Sequence, residues 1–123
     1  MKSPSNYEEK IIKILQNEKI SFQREKSFKD LKRGKFRFDF WIPSKKIIIE
    51  MDGEYHWKPI RGRAVLLKQQ EHDRQKNSYC LVNNLKLYRI PYWEIDNVKK
   101  FSDITQNKYL VKSKWHNDYL VPL

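Results

Sequence analysis

Residues 36–52 read FRFDFWIPSKKIIIEMD, and this stretch decides the fold. Phe36, Phe38, Phe40 and Ile42 alternate with Arg37, Asp39 and Trp41, the period of a strand with one apolar face. The run Ile47-Ile48-Ile49 then leads into Glu50-Met51-Asp52 and stops at Gly53, which reads as a second strand, over Lys46–Asp52. A two-residue turn at Ser44-Lys45 would place Ile42 opposite Ile47, Trp41 opposite Ile48 and Asp39 opposite Glu50. Directly opposed residues share a face, with Cβ atoms roughly 4.5–5.5 Å apart. Asp52 joins that face by the period of two and is the third candidate metal ligand beside Asp39 and Glu50.

Two ionised carboxylates about 4 Å apart repel by about 4 kcal/mol at an effective dielectric near 20. A hard divalent cation gives the fold a reason to hold them together, because Mg²⁺ takes a few carboxylates and fills its shell with water and phosphate oxygens. Spacing alone leaves other readings open. One acid can stay protonated, Arg37, Arg61 or Arg63 can pair with it, or a register shift can separate the two.

Outward from the hairpin, Ser5-Asn6-Tyr7-Glu8 is a capping box that opens a helix to about Glu18, with Tyr7, Ile11, Ile14 and Leu15 at helical spacing. Ile20–Lys26 alternates as a strand, and 27–35 is a basic loop. A long helix is expected over Ala64–Val82, closed by Asn83-Asn84, and a strand over Leu85–Ile90, ended by Pro91. A further helix is expected near Asp96–Ser102, and the last twenty residues show no clear period. Helix, three strands, helix, strand implies an α/β fold with a mixed sheet flanked by helices, and 123 residues suit one domain. His56 follows Asp52 by four positions, in a loop at the mouth of the acidic cluster, where it would serve as general base toward water or stand exposed. On the long helix Asp73, Lys76 and Cys80 share a face, which also suits a surface ion pair beside a small buried thiol. Glu8 is explained by its cap, and His72 and His116 read as surface residues.

The chain carries 26 Lys+Arg against 15 Asp+Glu, a net charge of +11. The excess is spread through the sequence, +5 in residues 1–60 and +6 in 61–123, interleaved with aromatic side chains. Such a balance points to a polyanion, with phosphate contacts through Lys and Arg, or else to a lysine-rich solvated surface. No apolar run approaches a membrane span, and the charged start does not read as a signal peptide. A lone cysteine permits neither an internal disulfide nor a cysteine-based zinc site, so a reducing cytoplasm is expected. A transporter, a disulfide scaffold and a zinc finger are excluded.

Taken together, Ser5-x-x-Glu8-x-x-Ile11, FRFDFWIP at 36–43, IIIEMDGEYHW at 47–57, DRQKNSYC at 73–80 and LYRIPY at 87–92 resemble the PD-(D/E)xK nuclease superfamily. The nearest branch is that of very-short-patch repair endonucleases and small phage and bacterial EDxHD homing endonucleases. The resemblance covers about residues 5–95 and implies a restriction-endonuclease-like core. It implies that Asp39 and Glu50 hold a catalytic Mg²⁺, for which Mn²⁺ can substitute, with Asp52 standing where the superfamily usually has lysine. It further implies that Glu8 is the branch's N-terminal acid, that His56 activates water, and that Asp73 is the last acid of the EDxHD set. Lys76, one turn beyond, or His56 would then replace the absent lysine. Arg37, Lys58, Arg61 and Arg63 would contact DNA. The expected activity is metal-dependent hydrolysis of phosphodiester bonds in duplex or branched DNA, with a homodimer attractive because two cuts need two sites. A phage origin, within a bacterial host cell, is implied by the resemblance alone. The rival readings are a non-catalytic nucleic-acid-binding module on the same fold, and a protein that binds an acidic partner.

Overall fold

The computed structural model describes residues 2–116. Helix α1 spans Asn6–Asn17 and opens with the expected box: Ser5 Oγ accepts from the Glu8 amide at 3.1 Å, and Glu8 Oε1 accepts from the Ser5 amide at 2.8 Å. Strands β1 (Gln23–Ser27), β2 (Arg37–Ile42) and β3 (Ile47–Asp52) form an antiparallel meander. Helix α2 (Arg63–Val82) then returns the chain so that β4 (Lys86–Pro91) lies parallel to β3. The result is an α/β architecture with a four-stranded mixed sheet in the order β1-β2-β3-β4.

Helices pack on both faces. Ile11, Ile14 and Leu15 of α1 meet Phe40, Ile42, Ile47, Ile49, Met51, Tyr88 and Ile90. On the opposite face Cys80 of α2 meets Phe38, Ile48 and Leu87, with Leu31 and Val111. All six residues of β3 are buried, as expected for a strand covered on both sides. Its odd-numbered side chains point at α1 and its even-numbered ones at α2. Glu50 and Asp52 therefore lie under a helix rather than in water.

The hairpin register is as expected, Phe40 with Ile49, Trp41 with Ile48 and Ile42 with Ile47. The connection is a four-residue loop, not a two-residue turn. Pro43–Lys45 form one 3₁₀ turn and Lys46 closes it at φ 52°. The four alternating apolar residues Phe36, Phe38, Phe40 and Ile42 do not share a face. Phe40 and Ile42 pack on the α1 side, whereas Phe38 and Phe36 pack on the α2 side. The switch falls at Asp39, which is out of the ladder on both flanks. Opposite it on β1, Glu25 takes the left-handed φ of 53° and is likewise unpaired, while the register is the same on either side, Arg24 with Phe40 and Lys26 with Phe38.

Two further expectations change. The first strand begins at Gln23 rather than Ile20. In place of one helix near Asp96–Ser102 there are a 3₁₀ segment, Tyr92–Asn97, and a single turn, α3 (Phe101–Ile104). The segment beyond is part of the core. Tyr109 and Val111 are buried, Leu110 bridges Tyr88, and the Val111 amide donates to Leu87 O at 2.9 Å, which covers the outer edge of β4. Residues 117–123 lie outside the described residues. Among the described residues no helix is long and apolar enough to cross a membrane.

Candidate functional site

Where β2 and β3 leave the ladder, their carboxylates take its place. Glu50 Oε1 accepts from the Asp39 amide at 2.6 Å, and Asp39 Oδ2 accepts from the Met51 amide at 2.7 Å. Each acid thus satisfies a backbone donor of the opposite strand, and these charge-assisted bonds hold the two carboxylates in register. Lys76 reaches in from α2, donating to Glu50 Oε2 at 3.1 Å and to Arg37 O, the carbonyl beside the break, at 2.6 Å. Burial works against the ammonium, but Glu50, Asp39 and Asp73 together outweigh it and raise the Lys76 pKa. Arg37, Arg61 and Arg63, the alternative partners, form no ion pair with these acids among the described residues.

Asp39 is where negative charge is left uncompensated. Burial, then the Glu50 charge, push its carboxyl well above the usual range, with Lys76 pulling the other way and Glu8 adding to the rise. The Glu8 charge is therefore felt at Asp39 even though its Oε1 serves the cap.

Behind this pair lies a buried ionic network that the sequence reading missed. Arg89 of β4 is 1 % exposed and stands beside Glu50 in the parallel register. Its guanidinium donates to Asp52 Oδ1 at 2.7 Å and Asn77 Oδ1 at 2.8 Å, and lies 3.6 Å from Asp73 Oδ1 and 3.9 Å from Glu50 Oε2. The buried stripe of α2 is polar, Gln70, Asp73 and Asn77 before Cys80, because the sheet face beneath it carries Glu50, Asp52 and Arg89. The one sequence signal was a basic residue inside the otherwise apolar strand LYRIPY. Asp52, expected among the metal ligands, is fully buried in this network, with one oxygen committed to Arg89. Burial raises its pKa against the pull of Arg89 and His56.

His56 stands at the edge of the network. Its Nδ1 is 2.8 Å from Asp73 Oδ2 and 3.6 Å from Asp52 Oδ1. Gln69 Nε2 donates to the other Asp73 oxygen at 3.1 Å. Burial disfavours the imidazolium, but Asp52 and Asp73 outweigh it and raise the His56 pKa to about 9. Burial likewise opposes the Asp73 charge, while Arg89 and His56 hold it below the usual carboxylate range. With Nδ1 tied to Asp73, the rest of the ring lines a cleft of about 430 Å³ bordered by Ser5, Tyr7, Glu8, Met51 and Gly53. Asp73 and Lys76 therefore form no surface pair. They serve His56 and Glu50 respectively.

The structure brings Glu8, Asp39, Glu50, His56, Asp73 and Lys76 to one end of β3. The four basic residues expected to touch DNA are spread around it. Arg37 is exposed beside the break in β2. Arg61 sits 4.6 Å over the Tyr55 ring and Lys58 5.3 Å over Tyr92, both in the loop after β3, and Arg63 begins α2. His116 is not a surface residue, whereas His72 keeps part of its ring at the surface. His72 is half-buried with its ring centroid 4.6 Å from Phe36, and His116 is buried, which together with Arg89 lowers its pKa to about 4.

The donor chemistry at Asp39 and Glu50 suits a hard divalent cation: two carboxylates at fixed separation, one of them with its charge opposed by its surroundings. Among the described residues no three acidic, histidine or cysteine side chains converge as a ready-made cage. Mg²⁺ does not require one, since it is commonly held by one or two carboxylates plus water and substrate phosphate. No family model, no curated protein and no solved structure matches the chain.

Proposed function

We propose that this protein is a metal-dependent DNA endonuclease with a PD-(D/E)xK-type site. The observation that carries the reading is the break in the β2–β3 ladder, where Asp39 and Glu50 are held side by side between Lys76 and the His56–Asp73 pair. A fold that needed only a sheet would complete the ladder with backbone bonds. Here two carboxylates, uncompensated at Asp39, stand at the C-terminal end of β3, the end at which parallel strands present ligand sites.

Mg²⁺ or Mn²⁺ would be held by Asp39 and Glu50, and when bound it stabilises the negative charge that builds on the phosphate. In the hydrolysis a water oxygen bonds to phosphorus as an ester P–O bond breaks. The water loses a proton and the departing alkoxide gains one. His56, its ring fixed through Nδ1 by Asp73, holds or moves a proton at Nε2 on the cleft wall. Lys76 pairs with Glu50 at 3.1 Å and places positive charge where the phosphate would arrive, the part played by the lysine that Asp52 replaces. Arg37, Lys58, Arg61 and Arg63 would hold the flanking backbone, positioning the strand without reading its bases. Two protomers would be needed to cut both strands of a duplex at once.

The test is incubation of purified protein with supercoiled plasmid and with a branched oligonucleotide duplex in Mg²⁺, Mn²⁺ or EDTA, beside the Asp39→Ala and Glu50→Ala variants. The expected result is metal-dependent nicking that both substitutions abolish. Nicking that survives in both variants refutes the site, and binding without cutting under every metal favours a non-catalytic module.

A further inference from the structure

Apart from the His56 cleft lies another concavity, of about 460 Å³, whose lining includes Lys35, Phe36, Arg37, Lys68, His72 and Lys76. No carboxylate contributes to its wall. The aromatic rings of Phe36 and His72 lie 4.6 Å apart at 42° within it. Burial, with Lys68 and Lys76 beside it, lowers the His72 pKa, which keeps the ring neutral at pH 7. Lys76 is the partition: it lines the groove and also reaches Glu50 at 3.1 Å.

Resting on the nuclease reading, we infer that this groove receives an unpaired nucleotide of the DNA strand whose phosphodiester lies over Asp39 and Glu50, with its base against Phe36 and His72. Four cations around two rings answer the two halves of a nucleotide, phosphate and base. A concavity of this size takes a small ligand rather than a double helix, and its rings meet only a base that has left the duplex stack. Base–aromatic stacking is tolerant of sequence, because every base has a π-face. The substrate class is therefore DNA with a single-stranded stretch beside the cut, such as a flap or a branch.

The test measures anisotropy of a labelled single-stranded deoxyoligonucleotide, and of the matched duplex, in EDTA. Wild type is compared with Phe36→Leu, which retains an apolar side chain against the core, and with His72→Ala, which spares Phe36 altogether. Each substitution is expected to weaken single-strand binding by about 5- to 100-fold and to change duplex binding less than twofold. Equal weakening of both ligands, no weakening of either, or tighter binding of the matched ribo-oligonucleotide overturns the inference. Because EDTA removes cleavage, the two readings fail separately. Absence of this selective loss of single-strand binding in both variants, with plasmid nicking intact, refutes the groove alone, and strand binding through Phe36 and His72 without any nicking refutes the nuclease alone.

Discussion

Replacing Arg89 with Met tests whether the buried network is held together by charge compensation. The substitution keeps an unbranched stem in a site 1 % exposed but removes the donors to Asp52 and Asn77, at 2.7 and 2.8 Å. Asp52, Asp73 and Glu50 then stay buried beside His56 and Lys76 without the guanidinium. Removing one partner of a buried ion pair typically costs about 3–5 kcal/mol, a large share of the roughly 5–15 kcal/mol that holds a domain folded. For a chain of this length each kcal/mol shifts Tm by roughly 3–6 °C, so a fall of about 9–30 °C is expected at pH 7. The pH dependence follows from the sign of the Asp73 shift. Its folded pKa is depressed, with Arg89 the foremost stabilising partner, so this stability is present above the unfolded pKa near 3.9 and lost as pH falls below it. In the variant much of that contribution is already gone, so the difference from wild type should hold from pH 7 to about 5 and shrink as pH drops below about 4. Urea unfolding followed by tryptophan fluorescence reads both quantities, since Trp57 is buried against Trp93. A variant within about 1 kcal/mol of wild type at pH 7, or a gap that does not change with pH, would refute the compensation argument; some buried ion clusters can be replaced by apolar residues at no cost.

Three other outcomes are expected. The Asp39→Ala variant should bind DNA as tightly as wild type or more tightly in EDTA, because it removes negative charge beside the phosphates; weaker binding by anisotropy would contradict the placement. His56, raised to about 9, contributes stability that is complete below its unfolded pKa near 6.5 and lost as pH rises through about 9. Unfolding midpoints from pH 6 to 10 should therefore decline, by up to about 3 kcal/mol, and Asp73→Asn should flatten the decline; an unchanged slope in that variant would show that the pair does not exist in solution. Ser5→Ala should cost about 1 kcal/mol through loss of the cap, a loss measurable by thermal melting, with a near-zero change ruling out the box at the start of α1.

The strands, their antiparallel register and the cap of α1 were legible because each rests on local signals: alternation in 36–42, the β-branched run at 47–49, and Ser5 three residues before Glu8. That register brought Asp39 and Glu50 together on paper, and no tertiary information was needed for it. The face of each residue was less secure. Alternation assumes an unbroken ladder, and β2 switches faces at Asp39, where side-chain carboxylates replace backbone bonds. The turn length was misread because proline and a left-handed Lys46 build four residues into a connection that preserves the same pairing.

Only tertiary structure decided how the charges are shared. Asp52 and Asp73 are 21 positions apart in sequence and Arg89 lies 16 beyond Asp73, yet helix and strand bring them into one buried cluster. A sequence shows which residues can be charged, but the pairing of charges depends on which surfaces are removed from water together. Docking of α2 on the even-numbered face of β3 does this. It commits Asp52 to Arg89 and gives His56 its partner in Asp73, while Lys76 goes to Glu50. Asp39 is left as the acid without a cation of its own.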